Sequence, residues 1–269
     1  MKEGYVMEKV FNSRTCWSMQ YELLKDMFFD IKEETNDYVL CISNVIDDYF
    51  WNMAYLKTKA NDNIISEIEN KLKNKNRTPA LYIGRDDIYY LDNKNIAIDK
   101  GYKINDIDVV MILDNYKDVD INIDIKVVKT NDQYNDFMKV LSSAYNDNIE
   151  NSDENVYEGA VTKCYYDAIK NSMNNSKTYH LVGYNLDNIP VSVATLNIVD
   201  GVGFINNVGT AQGFWNKGYS KQVLAYLINI FKENNGESLL LCTEYHSKNQ
   251  TYYEKLGFKE IYVMEQYVK

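Results

Sequence analysis

An α/β (α+β) fold, with helices laid against a sheet, is what this sequence predicts, and three observations carry the prediction. Short β-branched and aromatic runs, such as Tyr179 to Tyr184, Val191 to Val199 and Leu239 to Cys242, alternate with stretches whose apolar residues recur three or four apart. One stretch, Phe204 to Gln222, passes from a strand-like run through a glycine-broken turn into an amphipathic helix that buries Val223, Tyr226, Leu227 and Ile230. Finally, 45% hydrophobic and 25% charged residues with only two prolines in 269 positions describe a chain able to build a large core, as one large domain or two of about 130 residues each.

Taken in order, residues 20 to 75 read as helical. Tyr21, Leu24, Met27, Phe28 and Ile31 share one face, Val45, Ile46, Tyr49 and Phe50 continue a second segment, and Ile64, Ile65, Ile68 and Leu72 mark a third. Asn74 to Arg77 breaks the pattern before Pro79, and Ala80 to Ile83, Ile88 to Leu91 and Val109 to Leu113 follow as short strand candidates. The polar run Asp114 to Asn122 marks a boundary, giving an N-terminal domain over 1–118 and a C-terminal domain over 119–269. In the second, Ile123 to Val128 is a strand, helices begin at Asp132 and over Val156 to Ile169, and a hairpin from Tyr179 to Val199 leads to the Phe204 strand. The Gly218 helix, the Leu239 strand, a short helix near Asn249 to Leu256 and a last strand complete it.

Lys100-Gly101-Tyr102, followed by an apolar strand, echoes Leu256-Gly257-Phe258, followed by the last strand. Both read as helix, glycine stop, aromatic, strand, and if the echo is real the first half is expected to be a second, degenerate copy of the same α/β unit. Nothing before residue 118 matches the glycine-lysine turn at Lys217-Gly218, which predicts one anion site per chain. At that turn the unpaired N–H groups of a helix start, and its partial positive charge, suit a phosphate; Gly218 permits close approach, and Lys217 and Lys221 add charge to an otherwise acidic chain.

No run of about 18 apolar residues is present, and the N-terminal segment MKEGYVMEKVFNSRT has no signal-like apolar core, which predicts a cytoplasmic protein. Cys16, Cys41, Cys164 and Cys242 are scattered without metal-ligand spacing, so reduced core thiols and no metal are expected. A net charge of −10 argues against nucleic-acid and anionic-membrane partners and suits a cationic acceptor. His180, in an alternating strand, reads as structural.

Val208-Gly209-Thr210 followed by Trp215-Asn216-Lys217-Gly218-Tyr219-Ser220 resembles the acetyl-CoA signature of GCN5-related N-acetyltransferases (GNAT), and Tyr252-Tyr253-Glu254-Lys255-Leu256-Gly257-Phe258 resembles that family's C-terminal block. Trp215 stands where the family has Arg or Gln, and Ser220 where it has Gly or Ala; neither removes a backbone N–H. The resemblance covers about 145 residues and implies a mixed, mostly antiparallel central sheet flanked by helices. It also implies acetyl-CoA as cosubstrate, with Val208, Gly209 and Thr210 along the pantetheine arm and Asn216, Lys217, Gly218, Tyr219, Ser220 and Lys221 around the pyrophosphate. Tyr253 matches the family's general acid. His246 stands where many relatives carry a cofactor-binding Asn, with Asn249 nearby. Glu244, just after the Leu239 strand, is the candidate base for an ammonium acceptor. The implied activity is direct transfer of an acetyl group from the thioester to a primary amine, on a small molecule or on a protein. A catalytically silent acyl-CoA-binding or regulatory module is the alternative.

Overall fold

The structure, a computed structural model, describes residues 11–25, 27–145 and 163–269. Helix α1 (Ser13–Leu24) is followed by β1 (Ile31–Glu34), β2 (Tyr38–Ile42), one 3-10 turn (Tyr49–Trp51) and β3 (Met53–Leu56). Next come α2 (Asp62–Asn74), β4 (Ala80–Gly84), α3 (Tyr90–Asp99) and β5 (Lys103–Leu113). The second half supplies β6 (Asp124–Val127), α4 (Asn131–Tyr145), α5 (Lys163–Ser172), β7 (Thr178–Tyr184), β8 (Pro190–Val199) and β9 (Val202–Thr210). It ends with α6 (Tyr219–Glu233), β10 (Ser238–Glu244), α7 (Lys248–Lys255) and β11 (Phe258–Val268).

Two expectations fail in the first half. The span from 20 to 75 is not helical throughout, because β1, β2 and β3 occupy its middle. All five residues of Tyr38–Ile42 are buried, so the strand has no polar alternation and its apolar run fits a helical period equally well. Ile88 to Leu91 is not a strand either: it leads into α3, and Ile88 and Leu91 are exposed. The helix expected over Val156 to Ile169 is observed from Lys163; its residues 156–162 lie outside the described residues.

The strands form a single sheet in the order β1, β2, β3, β4, β11, β5, β10, β9, β8, β7, β6. Neither half keeps its own last strand beside its own sheet. β5 from the first half lies antiparallel to β10 of the second, and β11 from the second lies antiparallel to β4 of the first, with β5 and β11 paired along ten positions between them. The register repeats the echo read from the sequence: Arg85 N–H donates to the Val263 carbonyl and Tyr245 N–H to the Ile107 carbonyl, both at 2.8 Å. Gly101 and Gly257 both end their helices at positive φ, +85° and +98°; at Gly257 a Cβ would also strike the Asn115 carbonyl, so glycine is required twice over.

On one face of the sheet α6 packs Val223, Leu227 and Ile228 against Leu181, Leu196, Ile205 and Leu241. On the other, Leu24 of α1, Phe137 and Leu141 of α4 and Ile169 of α5 cover Val182, Val193, Phe204 and Leu240. Burying a single such side chain is worth about 1.5–3 kcal/mol, so both faces hold the strands in fixed register. Among the described residues no helix is long and apolar enough to cross a membrane.

A cleft between diverging strands

β9 and β10 are parallel neighbours only from Val202–Ser238 to Ile205–Leu241. Past that point they separate, because each is held on its outer side: β9 stays paired with β8 as far as Thr210, and β10 with β5 as far as Glu244. The inner edges from Asn206 to Thr210 and along Cys242 and Thr243 therefore face a wedge rather than a partner strand. An unpaired strand edge offers a row of N–H and C=O groups to an extended ligand. The wedge opens into a cleft of about 750 Å³, walled by these residues and by Trp215, Asn216, Gly218, Tyr219, Ser220, Lys221, Asn249, Tyr252 and Tyr253. That volume falls in the range of small-molecule sites, about 300–1,000 Å³.

A β-bulge shapes one wall. Thr195 pairs with Asn206 and Val193 with Gly209, so Ala194 faces two residues, and Asn207 takes up the extra length at φ +51°. Beside it the Asn206 side chain donates to Asn197 Oδ1 at 2.8 Å, while its own Oδ1 is buried without a hydrogen-bond partner among the described residues. A buried acceptor left without a donor is costly.

The far end is the start of α6. Gly218 sits at its N-cap with φ +77°, no side chain caps the first turn, and a Cβ on Gly218 would meet no protein atom within 4 Å. The exposed N–H groups and the helix dipole attract an anion, and Lys221, with no ion pair among the described residues, adds a full charge. The corresponding place in the first half is closed. Asn61 caps α2 by accepting from the N–H groups of Asn63 and Ile64, and Lys57, Lys59 and Lys100 are paired with Glu34, Asp92 and Asp62. There the short parallel pair of β3 and β4 is stoppered by α1: Ser13 N–H bonds the Asp86 carboxylate at 3.0 Å, and the Tyr55 hydroxyl bonds Ser13 Oγ at 3.0 Å.

Both family departures noted in the turn have structural partners. Trp215 donates its indole N–H to the Thr210 carbonyl at 2.8 Å, tying the turn to the end of β9. Ser220 Oγ lies 2.5 Å from the Tyr252 hydroxyl and so joins the first turn of α6 to α7. Tyr252 is thereby committed. Tyr253 is buried, and its hydroxyl makes no hydrogen bond among the described residues. Burial foremost, reinforced by Tyr145 and Tyr252, raises its pKa well above the ordinary phenol value, so it is suited to donating a hydrogen bond rather than to releasing its proton.

Of the residues singled out from the sequence, Val208, Gly209, Thr210, Asn216, Gly218, Tyr219, Ser220, Lys221, Asn249 and Tyr253 meet in this cleft. Lys217, His246 and Glu244 are not among its walls. Lys217 rests over the Phe214 ring, His246 packs against Tyr245 with the two rings tilted and has its backbone N–H bonded to Gln250, and Glu244 is exposed at the end of β10.

Opposite Glu244 in the antiparallel pair stands Asp108, which the sequence reading passed over. Asp108 is 5% exposed and accepts from the Tyr82 hydroxyl at 3.1 Å. Burial above all, then the charge of Asp106, pushes its carboxyl up to about 7; the Tyr82 bond opposes this and Glu244 adds to it. It lies on the sheet face that carries Cys242, and that thiol is driven well above its ordinary value, first by burial and then by Asp108 and Asp106. The signal was present in Lys103 to Leu113: Asp108 has the same strand parity as Val110 and Ile112, an acid at a core-facing position.

Comparison with known proteins agrees with this geometry. The Acetyltransferase (GNAT) family profile matches residues 145–258. Among solved structures, a GCN5-related N-acetyltransferase from Kribbella flavida superposes with a TM-score of 0.69 at 12% identity, covering 97% of this chain and 96% of its own. A conserved protein of unknown function from Staphylococcus epidermidis gives 0.66 at 17% identity, covering 91% and 96%. A GCN5-related N-acetyltransferase from Sphaerobacter thermophilus gives 0.63 at 11% identity, covering 88% and 81%. At such identities these likenesses speak for the fold, and they extend over both halves of the chain. No curated protein matches the sequence.

Proposed function

We propose that this chain, whose residues 145–258 match the Acetyltransferase (GNAT) family profile, is a cytoplasmic, acetyl-CoA-dependent N-acetyltransferase acting on the primary amine of a small molecule. One observation carries the reading: a wedge between parallel strands runs from an unpaired strand edge to an uncapped helix start, with an uncommitted phenol on its wall.

The groups present fit the cosubstrate. The N–H groups of Tyr219, Ser220 and Lys221, with the Lys221 ammonium, hold the pyrophosphate; the inner edge of β9 holds the pantetheine arm and the thioester. The amine nitrogen of the acceptor attacks the thioester carbonyl, the C–S bond breaks, the surplus proton of the nitrogen passes to the departing thiolate, and the Tyr253 hydroxyl donates a hydrogen bond to that sulfur as it leaves. The ammonium must first lose a proton. Glu244, expected in that role, is exposed; its partner Asp108 has the burial, and a carboxyl held near neutrality, that a base needs, so the Asp108–Glu244 pair is assigned together. Because Asp108 lies on β5, the first half contributes to the second half's chemistry. The one thiol on the cleft wall, Cys242, is held protonated, which supports direct transfer without an acyl-enzyme.

The degenerate first half, 1–118, serves in this reading as a partner for 119–269 rather than as a second active site, and the capped α2 and stoppered β3–β4 pair support that. One feature favours the silent-module alternative: the Trp215 indole occupies the Thr210 carbonyl, a group on the edge that would receive the pantetheine. A screen of amine acceptors with detection of released CoA thiol separates the two. Amine-dependent thiol release establishes the enzyme, whereas binding without release leaves the module.

A further inference from the structure

The bulge residue Asn207 stands at the end of a chain of hydrogen bonds whose direction can be deduced from donor and acceptor counts. Ser172 donates its only hydroxyl hydrogen to the Ile169 carbonyl at 2.7 Å, so the contact at 2.8 Å between Ser172 Oγ and His180 Nε2 is a bond donated by the imidazole. His180 is 2% exposed and packs edge-on against Phe137. Burial drops its pKa to about 3, so the ring is neutral and carries one hydrogen, already placed on Nε2. His180 Nδ1 must then accept the contact at 2.8 Å from the Thr195 hydroxyl. With its hydrogen spent, Thr195 Oγ1 accepts from the Asn207 side-chain amide at 3.2 Å. The chain runs one way, from Asn207 through Thr195, His180 and Ser172 to the backbone of α5.

We propose that His180 is a positioning residue for acyl transfer: through Thr195 it pins Asn207, and with it the bulge, in the shape that aims the inner edge of β9 at the thioester. The inference rests on the acetyltransferase reading of the wedge. Asparagine tolerates a left-handed conformation better than most non-glycine residues, so φ +51° alone does not fix the bulge; the Thr195 bond and the strand pairing around it supply the further constraint. Thr195 is fully buried and pairs directly with Asn206, so strand pairing and side-chain bond converge on the same two residues. The sequence reading of His180 as structural is thereby given a specific task.

The test is a double-mutant cycle read in kcat, with acetyl-CoA affinity measured alongside. Thr195→Val removes the hydroxyl while keeping the shape; it should lower kcat roughly 10- to 100-fold, the scale of about 1 Å of misplacement, and leave acetyl-CoA affinity within about threefold. Thr195→Ser should restore most of the rate. In an Asn207→Gly background, where residue 207 adopts positive φ without help, Thr195→Val should cost far less. Unchanged kcat in Thr195→Val, or the same loss in both backgrounds, overturns the proposal. Wild-type protein that binds no acetyl-CoA instead overturns the reading beneath it. A measurement needing no variant also decides: the chain has only two histidines, and nitrogen NMR of the wild type should show one with protonated Nε2 and bare Nδ1, unchanged down to about pH 5. The opposite tautomer, or titration near neutrality of both rings, contradicts the deduced chain.

Discussion

Replacing Asp108 by Asn should stabilise the folded protein at alkaline pH while costing it turnover. In the unfolded chain an aspartate titrates near about 3.9; in the fold Asp108 is pushed up to about 7, first by burial and then by Asp106. Between those values the native state retains a proton that the unfolded state has released, so stability falls as pH rises through that window and levels off above it. Three units at about 1.4 kcal/mol each give a penalty of about 4 kcal/mol at pH 8, against about 1 to 2 kcal/mol at pH 5. Asparagine removes the charge, yet its carbonyl oxygen still accepts from the Tyr82 hydroxyl, so the bond at 3.1 Å is not the quantity being tested. Urea unfolding of both proteins at pH 5 and pH 8 should show the variant ahead by a margin that widens by about 2 to 3 kcal/mol with pH. A margin that does not change with pH, or a variant less stable at pH 8, would refute the account of Asp108 as a buried carboxyl held near neutrality. The wild type should show a rise in kcat/KM through about pH 7, and the same variant should lose it and recover part of its rate where the amine is already free.

Tyr253→Phe keeps the ring and its packing but deletes the donor, so turnover should fall about 10- to 10⁴-fold with acetyl-CoA affinity nearly unchanged; near wild-type turnover, with chemistry rate-limiting, takes the role from Tyr253 and leaves Tyr252 or a bound water to be tested. Glu244→Gln should cost less than Asp108→Asn, because Glu244 is exposed where Asp108 is not; equal losses in pH-rate profiles would make the two carboxylates interchangeable. Ser220→Ala frees the Tyr252 hydroxyl from its 2.5 Å contact and should loosen α7 against α6, by about 1 kcal/mol in unfolding free energy, without abolishing acetyl-CoA binding in a thermal-shift assay.

How much of this was readable beforehand depended on how local each feature is. The turn into α6 is a strand, a glycine and an amphipathic helix in unbroken succession, so Gly218 and its neighbours were legible from spacing alone. So was the order of elements from β6 to β11. The strands β1 to β3 were not, because Tyr38–Ile42 is buried along its whole length and shows no alternation. The exchange of β5 and β11 pairs residues as distant as Val109 and Val263, and no local pattern specifies such a pairing. Asp108 was missed for the same reason. Its sequence parity shows a core-facing acid, but only the sheet order brings it beside Glu244 and the wedge. His180 was seen as buried and structural, whereas its link to Asn207 passes through a residue on a third strand.

Titration calorimetry with acetyl-CoA tests the central claim most directly. The wedge between β9 and β10, closed by the start of α6, should take up one acetyl-CoA per chain, and Gly218→Val, whose side chain projects into space the protein leaves empty while straining a backbone at φ +77°, should abolish that binding at a stability cost of about 1–2 kcal/mol, too little to unfold the protein. No binding by the wild type, two equivalent sites per chain, or undiminished binding by Gly218→Val would contradict it.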